Sequence, residues 1–182
     1  MEHFSKEVDE ITADFLQSFG RLTAHQLNWK PNTETWSIGQ NIDHLMVINE
    51  TYAPILQQLQ TGDYRLPWHA RFDFLVNFLG KTVLKAVEPA RKKKMKTFPL
   101  WEPRQSSIPA DILDQFQKHQ EKLKLRIQSC AGLMTRGAVI SSPANRIIVY
   151  KLDTAFEIML THERRHLNQA RVILKSIEKN SF

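Results

Sequence analysis

The chain has 182 residues, which suits one well-buried domain and is short for two. Lys and Arg outnumber Asp and Glu by 25 to 19, a net charge of +6, and much of the excess is gathered in Arg91, Lys92, Lys93, Lys94 and Lys96. That run is neither interleaved with aromatics nor placed on a recognition helix, so it reads as a solvated loop and argues against a nucleic-acid partner.

Cys130 is the single cysteine, which excludes an intrachain disulfide and a thiolate-rich metal cluster. Met1 to Glu10 contains no apolar h-region, and no uninterrupted apolar run approaches a bilayer span. The expectation is a soluble cytoplasmic protein with no membrane partner.

From Ser5 to Leu27, Val8, Ile11, Phe15, Phe19 and Leu22 recur at helical spacing without a proline, predicting a first helix. Asn28 to Thr35, with Pro31, reads as a loop. Ser37 followed by Gln40 has the form of a capping box, so a second helix starts near Ile38 and ends before Gly62, kinked at Pro54. Thr61 to Ser107 is punctuated by glycines and prolines, and only Phe72 to Val87 keeps a helix-compatible pattern; the segment is a long decorated crossover.

Ser106, Ser107 and Pro109 announce a third long helix with Ile112, Phe116, Leu123 and Ile127 as its apolar row, and Gly132 lies just beyond its end. In residues 133–150 the run Ile147 to Tyr150 has strand propensity but is too isolated to pair, so this stretch is expected to be extended or irregular. The last helix opens around Asp153 or Thr154, where Glu157 completes a second capping-box pattern, and runs to about Glu178. Four long helices without pairing strands give an all-α four-helix bundle forming one domain over residues 1–182.

Two rows of this bundle carry chemistry. On the last helix Ala155, Met159, His162, His166, Gln169 and Ile173 share a face, and residues four apart lie one above the other, so both imidazoles can converge on one cation. On the second helix Asn41, His44, Ile48, Tyr52, Ile55 and Leu59 form a similar stripe. Imidazoles in a core-facing row need partners for their nitrogens, and a metal shared by His44, His162 and His166 would help satisfy all three. Three protein ligands with a fourth position for water or substrate is also the pattern of an open zinc-type centre.

Three segments carry a family likeness: Leu27-Asn28-Trp29-Lys30-Pro31, Trp36-Ser37-Ile38-Gly39-Gln40-Asn41-Ile42-Asp43-His44-Leu45, and Thr161-His162-Glu163-Arg164-Arg165-His166-Leu167-Asn168-Gln169-Ala170. They resemble the DinB-like, or DinB/YfiT-like, superfamily of metalloenzymes. The resemblance implies an up-down-down-up four-helix bundle, frequently a homodimer, with one divalent metal per chain held by His44 from helix two and by His162 and His166 from helix four. Members include thiol-dependent transferases and isomerases that use low-molecular-weight thiols, and metal-dependent hydrolases. A small-molecule substrate and a Zn²⁺ or Ni²⁺ ion are therefore expected, all-imidazole ligation suiting either metal.

Other readings stay open. The ion could be a structural staple in a non-catalytic, stress-associated binding module. Glu163 makes a literal H-E-x-x-H, the pattern in which Glu is the base of a metallopeptidase, but Gln169 and Val172 stand where the longer metzincin pattern needs Gly and His. Glu163 lies about 100° around the helix from His162 and is a base, a residue orienting a ligand, or a solvated charge, the last being preferred. Gln169 could orient a ring or a bound water, and the Tyr52 hydroxyl could face the cavity. Trp29 and Trp36 are expected to pack at the entrance to helix two, with Asp43 and Glu50 exposed.

Overall fold

A computed structural model describes residues 2–90 and 97–180; the basic run at 91–96 lies outside them. Helix α1 is Glu2–Phe19, and its buried Phe4, Val8, Ile11, Phe15 and Phe19 follow the helical period. It stops earlier than the periodicity suggests. Thr23 and Gln26 form a reciprocal capping box that starts a separate short helix, α2 (Ala24–Asn28), and the new cap outcompetes continuation past Gly20.

Helix α3 (Ile38–Thr51) opens on the expected Ser37–Gln40 capping box. Pro54 has no N–H to offer the preceding turn, and the chain pauses at Tyr52, where α4 (Ala53–Thr61) begins with the proline in its first turn. The second helix is thus two helices. Gly62 closes α4 at φ 80°, a left-handed conformation that glycine adopts without a Cβ clash.

The crossover contains a 3-10 turn, Trp68–Arg71, helix α5 (Asp73–Val87) and a second 3-10 turn, Pro99–Trp101. Helix α6 (Ile112–Ser129) buries Ile112, Phe116, Leu123 and Ile127, and the chain makes one more short helix, α7 (Ala131–Thr135), where it was expected to end. Helix α8 is Leu152–Asn180.

Residues 133–150 correct the expectation of an extended or irregular stretch that does not pair. Strands β1 (Val139–Ser142) and β2 (Asn145–Lys151) pair antiparallel, with Ile140 opposite Tyr150 and Ser141 opposite Val149. A lone hairpin is marginal in water. Here both faces are covered: Tyr150 enters the main core, while Val149 packs with Ala70 and Val76 beneath α5. Gly80 permits that approach, because a Cβ there would meet Tyr150 and Thr154 at 3.1 Å.

The structure is mostly helical with one small sheet. The long helices α1, α6, α3 and α8 contact in a closed ring, α1 on α6, α6 on α3, α3 on α8 and α8 on α1. One apolar cluster running from Phe4 to Ile177 fills the ring, with Phe15 against Phe116 at 4.7 Å between ring centroids. The α3–α8 seam is where the histidines meet.

Candidate metal centre

His44 projects from α3 and His162 and His166 from successive turns of α8, and their ligand-capable atoms all lie within 4.8 Å of one another. Nε2 of His162 and Nε2 of His166 are 3.0 Å apart. In a tetrahedral site with bonds of 2.0–2.1 Å, ligand nitrogens lie roughly 3.3 Å apart, so small shifts bring the three rings onto one ion.

The outer nitrogens of two rings are tied down. Nδ1 of His44 donates to the backbone carbonyl of Trp101 at 2.5 Å. Nδ1 of His166 meets the Asn41 side-chain carbonyl at 2.7 Å, and the Asn41 amide donates to the Ser37 carbonyl at 2.8 Å. A carbonyl cannot donate, so in both rings the proton is on Nδ1 and the Nε2 lone pair is left free to ligate. His162 can meet the His166 lone pair with its own N–H or, beside a cation, with a second lone pair.

Burial also keeps the rings neutral. It lowers the pKa of His44 to about 4, against a smaller opposing effect of the Trp101 carbonyl. It brings His162 to about 3 and His166 well below the usual imidazole value, with the neighbouring rings and Arg165 pushing both the same way. Neutral imidazoles are the form that binds metals. Trp36 packs its indole against the rings of His44 and His166, with centroids 4.6 and 6.1 Å away. The donor set therefore fits a divalent ion of the Zn²⁺ or Ni²⁺ class.

The sequence pattern of the DinB superfamily matches residues 7–170. The chain belongs to the DinB superfamily. No curated protein and no solved structure matches it.

Within this DinB fold the carboxylates beside the histidines point elsewhere. Asp43 is buried, not exposed as the stripe suggested, and accepts from the backbone N–H and guanidinium of Arg104. Glu163 is fully buried, which corrects its reading as a solvated charge. Its Oε1 accepts from Asn49 and its Oε2 from Gln120, each at 2.8 Å. Desolvation raises its pKa to about 7 despite those two amides. Asn49 also approaches Nε2 of His119 at 3.3 Å, and Nδ1 of His119 lies 3.3 Å from Glu50, which is exposed as expected.

Tyr52 and Gln169 are not among the histidines either. The Tyr52 hydroxyl bonds the Tyr150 hydroxyl at 2.8 Å in the core, and Gln169 is exposed on α8. Asn41 and Trp101 take the positioning roles. Asn41 was visible as a polar residue three before His44 in a core-facing row, whereas Trp101 gave no signal, because its carbonyl arrives from a loop 57 residues away. A cavity of about 440 Å³ opens elsewhere along α3, lined by Met46, Val47, Glu50, Lys118, His119 and Lys122 among others, and by none of the three candidate ligands.

Proposed function

We propose that this DinB-superfamily chain is a metalloenzyme acting on a small molecule, in which His44, His162 and His166 hold one Zn²⁺ or Ni²⁺ ion within an up-down-down-up four-helix bundle. The observation that carries the reading is the convergence of three neutral imidazoles, two with Nδ1 fixed outward by carbonyl oxygens. A divalent ion bound there supplies Lewis acidity that lowers the pKa of a coordinated water or thiol.

The residues divide the work. His44, His162 and His166 are the ligands. Trp101 and Asn41 hold two of them in the ligating tautomer, and Trp36 covers the rings. Both oxygens of Glu163 are committed to Asn49 and Gln120, which supports a structural carboxylate more than a peptidase base. Cys130 is fully buried with its thiol pKa raised by burial, and its polar contacts are Gln60 and Ser129. A thiol used in transfer therefore comes from a low-molecular-weight co-substrate, and hydrolysis of a simple ester or amide is the other reaction of this class. A cytoplasmic location accords with the absence of a helix long and apolar enough to cross a membrane among the described residues.

A second reading, a non-catalytic ion that staples α3 to α8, draws on the burial of His44 and His166. Cobalt separates the two. With Co²⁺ at the histidines, a small thiol added to an enzyme site gives a thiolate-to-metal charge-transfer band, whereas an ion closed off from exchange leaves the spectrum unchanged. Screens for electrophile conjugation and for ester hydrolysis on the same preparation then assign the reaction.

A further inference from the structure

Between α3 and α6 lies a groove of about 440 Å³, a volume that suits a small organic ligand. Its α6 wall is a single stripe, with Lys118, His119 and Lys122 following Gln115 at helical spacing. From α3 come buried Met46 and half-buried Val47, an apolar patch, and Arg104 reaches the groove from the crossover. None of the three histidine ligands lines it.

The charges along this groove do not balance. The Arg104 guanidinium donates to Asp43, and Glu50 accepts from both terminal nitrogens of Arg126, so those two pairs cancel. His119 is neutral near neutral pH, because burial lowers its pKa to about 4. Lys118 and Lys122 remain. Both are exposed, and neither forms an ion pair among the described residues, whereas Lys124 and Arg126 on the same helix hold Asp9 and Glu50. One turn apart, about 6 Å along the axis, the two ammoniums repel each other. An anion between them turns that repulsion into attraction.

We propose that this groove binds a phosphate monoester with an apolar body, its phosphate between Lys118 and Lys122 and its apolar part over Met46 and Val47. A phosphate monoester carries about −1.5 to −2 charge at neutral pH, which matches the two uncancelled ammoniums, where a monocarboxylate matches one. Ammonium groups bind phosphate as point charges and need no fixed fork. Nη1 of Arg104 makes no hydrogen bond among the described residues and supplies a further donor. Asp43 already holds that guanidinium, so little of its freedom is lost on binding. The site is separate from the proposed metal chemistry and stands without it.

The test is equilibrium dialysis of the full chain against phenyl phosphate, inorganic phosphate and benzoate. Phenyl phosphate is expected to bind at least about tenfold tighter than either of the others, each of which lacks part of what the groove recognises. Lys118→Gln and Lys122→Gln, both at exposed positions, should each weaken it by about tenfold or more with circular dichroism unchanged. Lys124→Gln, on the same helix but outside the groove, should leave it as it is. The chain stripped of metal by chelation, and His44→Ala beside it, separate the groove from the metal: phenyl phosphate bound by both supports the proposal. Binding that is lost in both and kept in the two lysine variants places the anion on the metal and overturns it. No phenyl phosphate retained at millimolar concentration, or equal affinity for inorganic phosphate or benzoate, also overturns it.

Discussion

Asn41 and His166 fix one another: the Asn41 carbonyl accepts from Nδ1 of His166 at 2.7 Å while its amide is spent on the Ser37 carbonyl at 2.8 Å. Flipping the amide would set two oxygens against each other at Ser37, so only one orientation satisfies both ends. The backbone carbonyl of Ser37, at the start of α3, thereby fixes through Asn41 which nitrogen of a histidine on α8 carries the proton.

Removing that constraint should weaken the metal without unfolding the chain. Asn41→Ala is expected to lower Zn²⁺ affinity by roughly 10- to 100-fold, the usual effect of losing a ligand's outer hydrogen bond. Competition with a chromophoric chelator measures it. Affinity equal to wild type would mean that Asn41 has no hold on the ligand.

Glu163 separates fold from site. Glu163→Gln keeps the shape and should retain the metal, because neither carboxylate oxygen faces the ligating nitrogens. Glu163→Ala takes the shared acceptor from the buried amides of Asn49 and Gln120, leaving Asn49 only its longer contact to His119, and should cost about 2–4 kcal/mol in urea denaturation. Loss of metal in the Gln variant would place Glu163 in the site after all.

Much of this arrangement was legible in the sequence, for reasons that differ by residue. His44, His162 and His166 stand in apolar rows at helical spacing, and a short-range pattern of that kind survives folding unchanged. The Ser37–Gln40 cap is equally local. Glu163 and Asp43 were misread because the helical period gives only an angle around the axis. Whether that angle meets solvent or a third helix depends on α6 and on the loop carrying Arg104, which are distant in sequence. The β1–β2 hairpin was missed for the same reason, since its stability comes from α5 and the core behind Tyr150 rather than from its own propensity.

The stability of the α3–α6 seam should depend on pH through His119. Burial lowers its pKa from 6.5 to about 4, the opposing pull of Glu50 being smaller. Between those values the unfolded chain takes up a proton that the folded chain refuses, so the contribution of this ring is level above pH 6.5 and falls as pH drops toward 4. The loss attributable to this ring is about 2 kcal/mol by pH ~5 and about 3 kcal/mol by pH ~4. His119→Gln removes the titrating group, and the difference in urea midpoint between pH ~7 and ~5 should shrink. An undiminished difference would assign the pH dependence to other groups.

Tyr52→Phe deletes one hydroxyl from the Tyr52–Tyr150 pair, leaving the Tyr150 hydroxyl with Ser142 alone. A loss of about 1–2 kcal/mol in stability is expected, with metal content and any turnover unchanged. Turnover that falls while the melting temperature holds would return Tyr52 to the site.

The most direct measurement is elemental analysis of the purified chain beside His44→Ala, His162→Ala and His166→Ala, each verified as folded by circular dichroism. Close to one Zn or Ni per wild-type chain is expected, with a large loss in each of the three variants. Undiminished metal in His44→Ala would remove α3 from the site and contradict the three-histidine centre.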